Sequence, residues 1–271
     1  MRIFECNLLY MSSLWIQKLD ILEQIFYLCI MSLAIKIRNR VNELAEGVSF
    51  RYADLGIDKI EYQSAAKVLE RMQAKDLIKK TTKGVFYKPK QSVFGEIAPN
   101  YGDQLRLYLF EKGKRIGYET GGSLYNKMGL TTQMAYQIKI ASRSKRIFIN
   151  RGALKATAVK SYVEVTDDNY ELLGLLDAIK DIKSIPDCSI TKAVAIIRSK
   201  IQGLSESQLN ELIKYALFYP SRVRALLGAI LENSNNYSKI DVLKESLNPL
   251  TKIKLGISDN DLPTVKNWNI I

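Results

Sequence analysis

From Tyr62 to Ala74 the apolar residues Ala65, Val68, Leu69 and Met72 recur at steps of three and four, the single stripe of a helix that packs on one side only. Such a helix cannot stand alone, so the flanking chain must supply the surface that covers the stripe. Downstream, Ile78 to Pro89 holds two β-prone runs around a polar turn, where Gly84 can take a positive φ at little cost. Upstream, Leu33, Ile37, Val41 and Leu44 mark another helix, ended by Gly47, and a short one over Arg51 to Leu55 stops at Gly56. Helix, short helix, helix and basic hairpin, in that order, predict a winged helix-turn-helix over residues 31–90.

The polar side of the Tyr62–Ala74 helix then becomes the candidate for function. Gln63, Lys67 and Arg71 stand four apart, so they share one face with Ser64 beside them. Their side chains are of the types that bond base edges or phosphates, and they are the candidate DNA-binding residues on the helix. A plain solvated face is the competing reading of the same pattern. The basic hairpin that follows favours a DNA groove.

Charge supports a polyanionic partner for part of the chain. The net charge is +12 over 271 residues. Residues 31–90 carry 13 basic against 7 acidic side chains and residues 101–165 carry 12 against 4, whereas residues 166–271 carry 13 of each. Cations on one face of a protein release counterions when set against phosphate. The asymmetry does not separate DNA from RNA or an anionic membrane.

Composition argues against several chemistries. Histidine is absent, which removes the usual neutral-pH general base, the Ser-His and Cys-His nucleophile pairs and imidazole metal sites. Cys6, Cys29 and Cys188 are too few and too scattered for a disulfide framework or a four-cysteine cage, so a reducing cytoplasm is expected. Residues 1–30 are apolar in runs, but Asp20, Glu23 and Gln24 interrupt them below the ~20 residues a membrane span requires. They do not read as a signal peptide either, and they are expected to be an N-terminal extension, with Met31 as the native start.

Residues 91–102, with Gly95, Pro99 and Gly102, read as a linker, and a second α/β domain is expected over 103–255, followed by a tail over 256–271 whose last ten residues pack against nothing. Within that domain a helix is expected near Asp103 to Lys112. Gly117 to Ser123 form a turn opening a short helix through Met128. Glycines before a helix can bind phosphate, but the P-loop spacing and lysine are missing here. Met134 to Val165 is β-rich, with strands expected at Ala135–Ala141, Arg146–Ile149 and Ala156–Val165. Lys139, Arg143, Lys145, Arg146, Arg151, Lys155 and Lys160 crowd it, as a second basic surface or as ordinary solvation of a small sheet. Beyond Thr166 a helical scaffold is expected: one helix from Asp167 and Asp168 to Ile185, then Ser189–Gln202, Ser205–Leu217 and Ser221–Asn233. Asp177, Asp181, Lys183 and Asp187 superficially match a metal-dependent nuclease, but helical spacing of the carboxylates suits surface ion pairs instead.

Several motifs carry a family likeness. Gly84-Val85-Phe86-Tyr87-Lys88-Pro89-Lys90 with Phe94-Gly95-Glu96, then Gly117-Tyr118 through Gly121-Gly122-Ser123-Leu124-Tyr125, then Gly129-Leu130-Thr131-Thr132-Gln133, resemble the AbiEi-type antitoxins of bacterial type IV toxin-antitoxin systems. Glu171-Leu172-Leu173 with Leu176-Asp177-Ala178, Asp181-Ile182-Lys183 and Leu247-Asn248-Pro249-Leu250 extend the likeness. The resemblance implies a winged-helix domain that binds the operon's promoter and a C-terminal domain that counteracts a nucleotidyltransferase-type toxin without a stable complex. Carried over, the DNA-facing positions are Gln63, Ser64, Lys67 and Arg71 on the helix and Lys79, Lys80 and Lys83 on the wing. No catalytic residue, cofactor or metal transfers with it.

The sequence therefore predicts an α/β (α+β) protein: a winged helix-turn-helix, then a mixed domain with a small sheet and a helical C-terminal part. Its expected role is a cytoplasmic, non-enzymatic autorepressor and antitoxin that binds double-stranded DNA, with two copies on paired repeats. A winged module that docks protein or RNA is the alternative, and a Mg²⁺-dependent nuclease the third.

Overall fold

The computed structural model describes residues 32–271 apart from Lys83, Phe94, Ala98, Asn100, Lys112 and residues 144–147, 152–153 and 235–238. The expected N-terminal extension, residues 1–30, lies outside the described residues. The fold is mixed α+β, and the chain divides into two compact units at Leu107/Tyr108.

In the first unit, helix α1 spans residues 32–43 and strand β1 spans Ser49–Arg51. Single 3-10 turns at Tyr52–Leu55 and Lys59–Glu61 lead into helix α2, Tyr62–Gln73. Strands β2 (Lys79–Thr82) and β3 (Val85–Tyr87) form an antiparallel hairpin whose turn residue Gly84 has φ +76°. β3 also pairs antiparallel with β1, so the sheet order is β1-β3-β2. The short helix expected over Arg51–Leu55 is thus the end of a strand followed by one 3-10 turn.

One core joins these pieces. Leu33, Ile37 and Val41 from α1 meet Ala65, Val68, Leu69 and Met72 from α2, together with Phe50, Leu55, Ile78 and Phe86. The apolar spacing read from α2 is the buried stripe observed. Lys88 donates from Nζ to the carbonyls of Asn42 and Leu44, satisfying oxygens that the end of α1 leaves open.

A second hairpin occupies most of the expected linker: β4 (Lys90–Ser92) pairs with β5 (Gly95–Ile97). Its residues are mostly exposed, so no alternation of apolar and polar positions announces it. Helix α3 (Tyr101–Leu109) follows and carries the chain across the division.

The second unit begins with the short pair β6 (Phe110–Glu111) and β7 (Lys114–Arg115). Strand β8 (Gly117–Thr120) precedes helix α4 (Gly122–Lys127), so Gly117 to Thr120 is a strand where a turn was expected. Strands β9 (Ile138–Ser142), β10 (Phe148–Arg151) and β11 (Leu154–Lys160) complete a four-stranded sheet in the order β10-β11-β9-β8. β9 and β11 run parallel, while both edge pairings are antiparallel.

Helices α5 (Tyr170–Lys180), α6 (Ile190–Gln202), α7 (Glu206–Ala216) and α8 (Ser221–Glu232) follow, then the short α9 (Asp241–Glu245). The starts of α6 and α7 match their sequence signals: Ser189 accepts from the Lys192 amide, and Ser205 with Gln208 forms a reciprocal capping box. α5 is buried continuously from Leu172 to Ile179, as a helix clad on all sides must be.

The C-terminal end departs from the tail expected there. Leu262, Val265, Trp268 and Ile270 are buried. The Trp268 ring packs against Gly228 of α8, where a Cβ would stand 2.2 Å from it, and its Nε1 donates to Glu232 at 2.6 Å. The missing side chain of Gly228 makes room for the indole, a contact spanning forty residues that no local pattern encodes.

Candidate nucleic-acid interface

Burial of the apolar stripe fixes what α2 shows to solvent. Gln63, Lys67 and Arg71 are exposed, and Ser64 is half-buried beside them. Among the described residues neither Lys67 nor Arg71 has a hydrogen-bond or ion-pair partner. Lys80, on the first strand of the hairpin, is likewise exposed and unpaired among the described residues.

Lys79 is different. Its ammonium donates to the Glu96 carboxylate of β5, and the Tyr87 hydroxyl donates to the other oxygen of the same carboxylate at 2.8 Å. The bond from Lys79, reinforced by that from Tyr87, holds the Glu96 carboxyl below the usual carboxylate range. The same contact raises the Lys79 ammonium above its ordinary pKa. Nothing in the local sequence pairs positions seventeen apart, so the sequence pointed to Lys79 but not to its occupant. Lys83 lies outside the described residues.

Lys36 and Lys88 have also found internal partners, Lys36 donating to the Gly56 carbonyl at 3.0 Å. Among the described cations of this unit, Lys36, Lys79 and Lys88 are bonded into the fold and Arg40 and Arg51 pair with Glu43 and Asp54, while Lys67, Arg71 and Lys80 are exposed, as are Arg38, Lys59, Lys75 and Lys90.

In the second basic group one cation, Lys155, is bonded within the fold among the described residues. The β9–β11 register sets Lys139 opposite Thr157, and Lys155, two residues before Thr157, stands on the same face. The Lys139 stem lies against Gly121, and Lys155 sits over the Tyr136 ring, 4.1 Å from its centroid, while donating to the Tyr136 hydroxyl. Arg143 and Lys160 are exposed. Arg151 is the last residue of β10, and Lys145 and Arg146 lie outside the described residues.

The carboxylates that superficially suggested a nuclease are scattered among separate partners. Asp177 is not the surface ion-pair residue its helical spacing implied: it is 2% exposed. It accepts from Tyr118 Oη at 2.9 Å, Thr120 Oγ1 at 2.7 Å and Lys180 Nζ at 2.8 Å. Burial, and then the neighbouring Asp177 charge, pushes the Tyr118 hydroxyl far above its ordinary pKa, so it stays a donor. Burial raises the Tyr125 hydroxyl likewise; it donates to Asp181 at 2.7 Å. Asp187 accepts from Gln133 at 2.6 Å, and Lys183 donates to the Lys254 carbonyl at 3.3 Å. Among the described residues no group of three or more His, Cys, Asp or Glu side chains converges as metal ligands would.

The second unit also holds a cleft of about 520 Å³ whose lining includes Leu124, Met128, Leu172 and Leu204. Of the charged side chains that line it, Lys127 is bonded to Glu119, and Arg115 is stacked on Phe110 and Tyr170 and bonded to Asp167 outside the cleft. Among the described residues no helix is long and apolar enough to cross a membrane.

Residues 36–205 match the model of DUF6088, a family of unknown function, and the chain belongs to that family. No curated protein matches it. Among solved structures it is similar to the crystal structure of the RV2827C protein from Mycobacterium tuberculosis, at 9% identity over 86% of this chain and 88% of that one, with a TM-score of 0.47. That likeness is too distant to carry an argument about function.

Proposed function

We propose that α1, β1, α2 and the β2–β3 hairpin constitute a winged helix-turn-helix, and that the chain is a DNA-binding autorepressor. The observation that carries this reading is the unpaired polar stripe of Gln63, Lys67 and Arg71 on α2, next in sequence to a hairpin bearing Lys80. On this reading α2 enters the major groove, with Gln63 and Arg71 reaching base edges and Lys67 and Lys80 reaching phosphates. A single module makes few base contacts, so two copies on paired repeats supply the affinity.

We further propose, on the family likeness to AbiEi-type antitoxins, that the second unit serves a cytoplasmic antitoxin without enzymatic activity, opposing a nucleotidyltransferase-type toxin without a stable complex. The bonding of Asp177 and Arg115 into the fold of that unit supports a scaffold role for them.

Gel shifts on the DNA upstream of the chain's own gene, against a scrambled duplex, test the repressor reading. Preferential retardation of the upstream DNA supports it, and equal or absent binding overturns it. Co-expression with a neighbouring nucleotidyltransferase gene tests the antitoxin reading: restored growth is expected, and arrest unrelieved by this chain would contradict it.

A further inference from the structure

The polar stripe on α2 has an apolar head. Ile60, in the 3-10 turn that runs directly into α2, is 94% exposed. It precedes Ser64 by four positions, Lys67 by seven and Arg71 by eleven, the spacing of one helical face, and stands in the 3-10 turn at the head of that face. Glu61, between this turn and α2, has φ −89° and ψ −4°. An isoleucine this bare on a face otherwise made of polar and cationic side chains gains nothing from the fold.

Its neighbours narrow what it can meet. Asp58 and Glu61 form a reciprocal cap, the Glu61 carboxylate accepting from the Asp58 amide at 3.2 Å. The exposed Lys59 next to Ile60 offsets one of these two carboxylates, and the isoleucine side chain itself has no group that can bond phosphate. The cations that attract phosphate, Lys67 and Arg71, lie further along the same face. If Lys67 and Arg71 hold the backbone and the base edges, the turn ahead of them projects into the groove floor. There the one apolar group a base pair offers is the thymine 5-methyl.

We propose that Ile60 is a specificity-determining residue that reads thymine in the major groove by contact with its 5-methyl group. This rests on the reading of α2 as the DNA-recognition helix and adds to it the class of base preferred. One methyl removed from water is worth about fourfold in affinity (~0.8 kcal/mol). Because the side chain is almost wholly exposed in the free protein, its truncation leaves the core intact.

The test uses the full chain and a duplex of the DNA upstream of its own gene, prepared once with thymine and once with uracil, which removes only the methyl groups. Wild type is expected to bind the uracil duplex about fourfold more weakly. Ile60→Ala, with an unchanged thermal midpoint, is expected to bind the thymine duplex about fourfold more weakly than wild type and to be indifferent to the substitution. Equal wild-type binding to both duplexes overturns the role of Ile60 while leaving DNA binding standing. An equal loss on uracil in wild type and Ile60→Ala assigns the methyl effect to another group and overturns it too. No binding to either duplex overturns the recognition helix itself, and Ile60 with it.

Discussion

The two units bury charge to different degrees. In the second, some charged side chains are turned to one another, Asp177 being enclosed by Tyr118, Thr120 and Lys180 and Arg115 lying between two rings while bonded to Asp167, whereas Arg143, Lys160, Lys192, Lys200 and Arg222 are exposed. In the first, Lys67, Arg71 and Lys80 face solvent without partners among the described residues, although Lys36, Lys79 and Lys88 nearby are fastened to the fold. A cation satisfied internally has little left for a ligand, because leaving its partner costs what the new contact returns. The contrast therefore separates cations bonded into the fold from exposed ones, a distinction that net charge alone does not make.

The largest effect that sharpens this contrast is expected from Asp177→Ala. It takes the nearer of two carboxylates from the Lys180 ammonium, whose side chain is 13% exposed, leaving Asp181 at 4.0 Å, and removes the acceptor of two buried hydroxyls. Removing one member of a buried pair costs about 3–5 kcal/mol. Denaturant unfolding should show that loss, while DNA binding by the folded fraction keeps its salt dependence. Asp177→Ala with unchanged stability would break the account of the second unit.

Gly228→Ala comes next, since the added methyl displaces the Trp268 indole. Overpacking of this kind costs about 1–3 kcal/mol, and here the added loss of the Trp268–Glu232 hydrogen bond sets it toward the upper end. Tryptophan fluorescence should report a more exposed indole.

In the first unit the expectations reverse. Arg71→Ala should leave the unfolding midpoint within about 0.5 kcal/mol, as for an exposed position, and weaken specific DNA binding by about 1–3 kcal/mol if it bonds a base. Lys80→Ala should lower affinity on every sequence and flatten the salt slope by about one.

The smallest effect belongs to Glu96. Glu96→Gln frees Lys79 for phosphate, and because an exposed ion pair contributes little, DNA affinity should rise only a few-fold at most. Acid does the same thing. The Glu96 carboxyl is depressed by Lys79 and Tyr87, so the pair's contribution is complete above the ordinary carboxylate range and is lost as pH falls through the depressed value. An NMR titration of the Glu96 side chain should show a midpoint below that of a free glutamate.

What was legible in the sequence was what local chemistry encodes. The buried stripe of α2 follows from residues spaced by one helical turn, and Ser189 and Ser205 announce α6 and α7 because capping needs only the next three residues. The C-terminal packing was not legible, because Trp268 finds its site on a glycine in another helix. Asp177 was misplaced on the surface for a related reason: its i, i+3 partner Lys180 is visible locally, but Tyr118 and Thr120 arrive from a strand nearly sixty residues earlier. The β4–β5 hairpin escaped because exposed strands carry no alternation. Of the candidate interface, the helix residues were placed as expected, while Lys79 carried a partner that only the tertiary fold supplies.

The central claim is that α2 and the hairpin after it present cations to a nucleic-acid backbone. Fluorescence anisotropy on upstream DNA across a salt series, comparing wild type with Lys67→Ala/Lys80→Ala, tests it most directly. A steep fall of log affinity with log salt in wild type, shallower by about two in the double variant, is predicted. Identical slopes for the two proteins would contradict it.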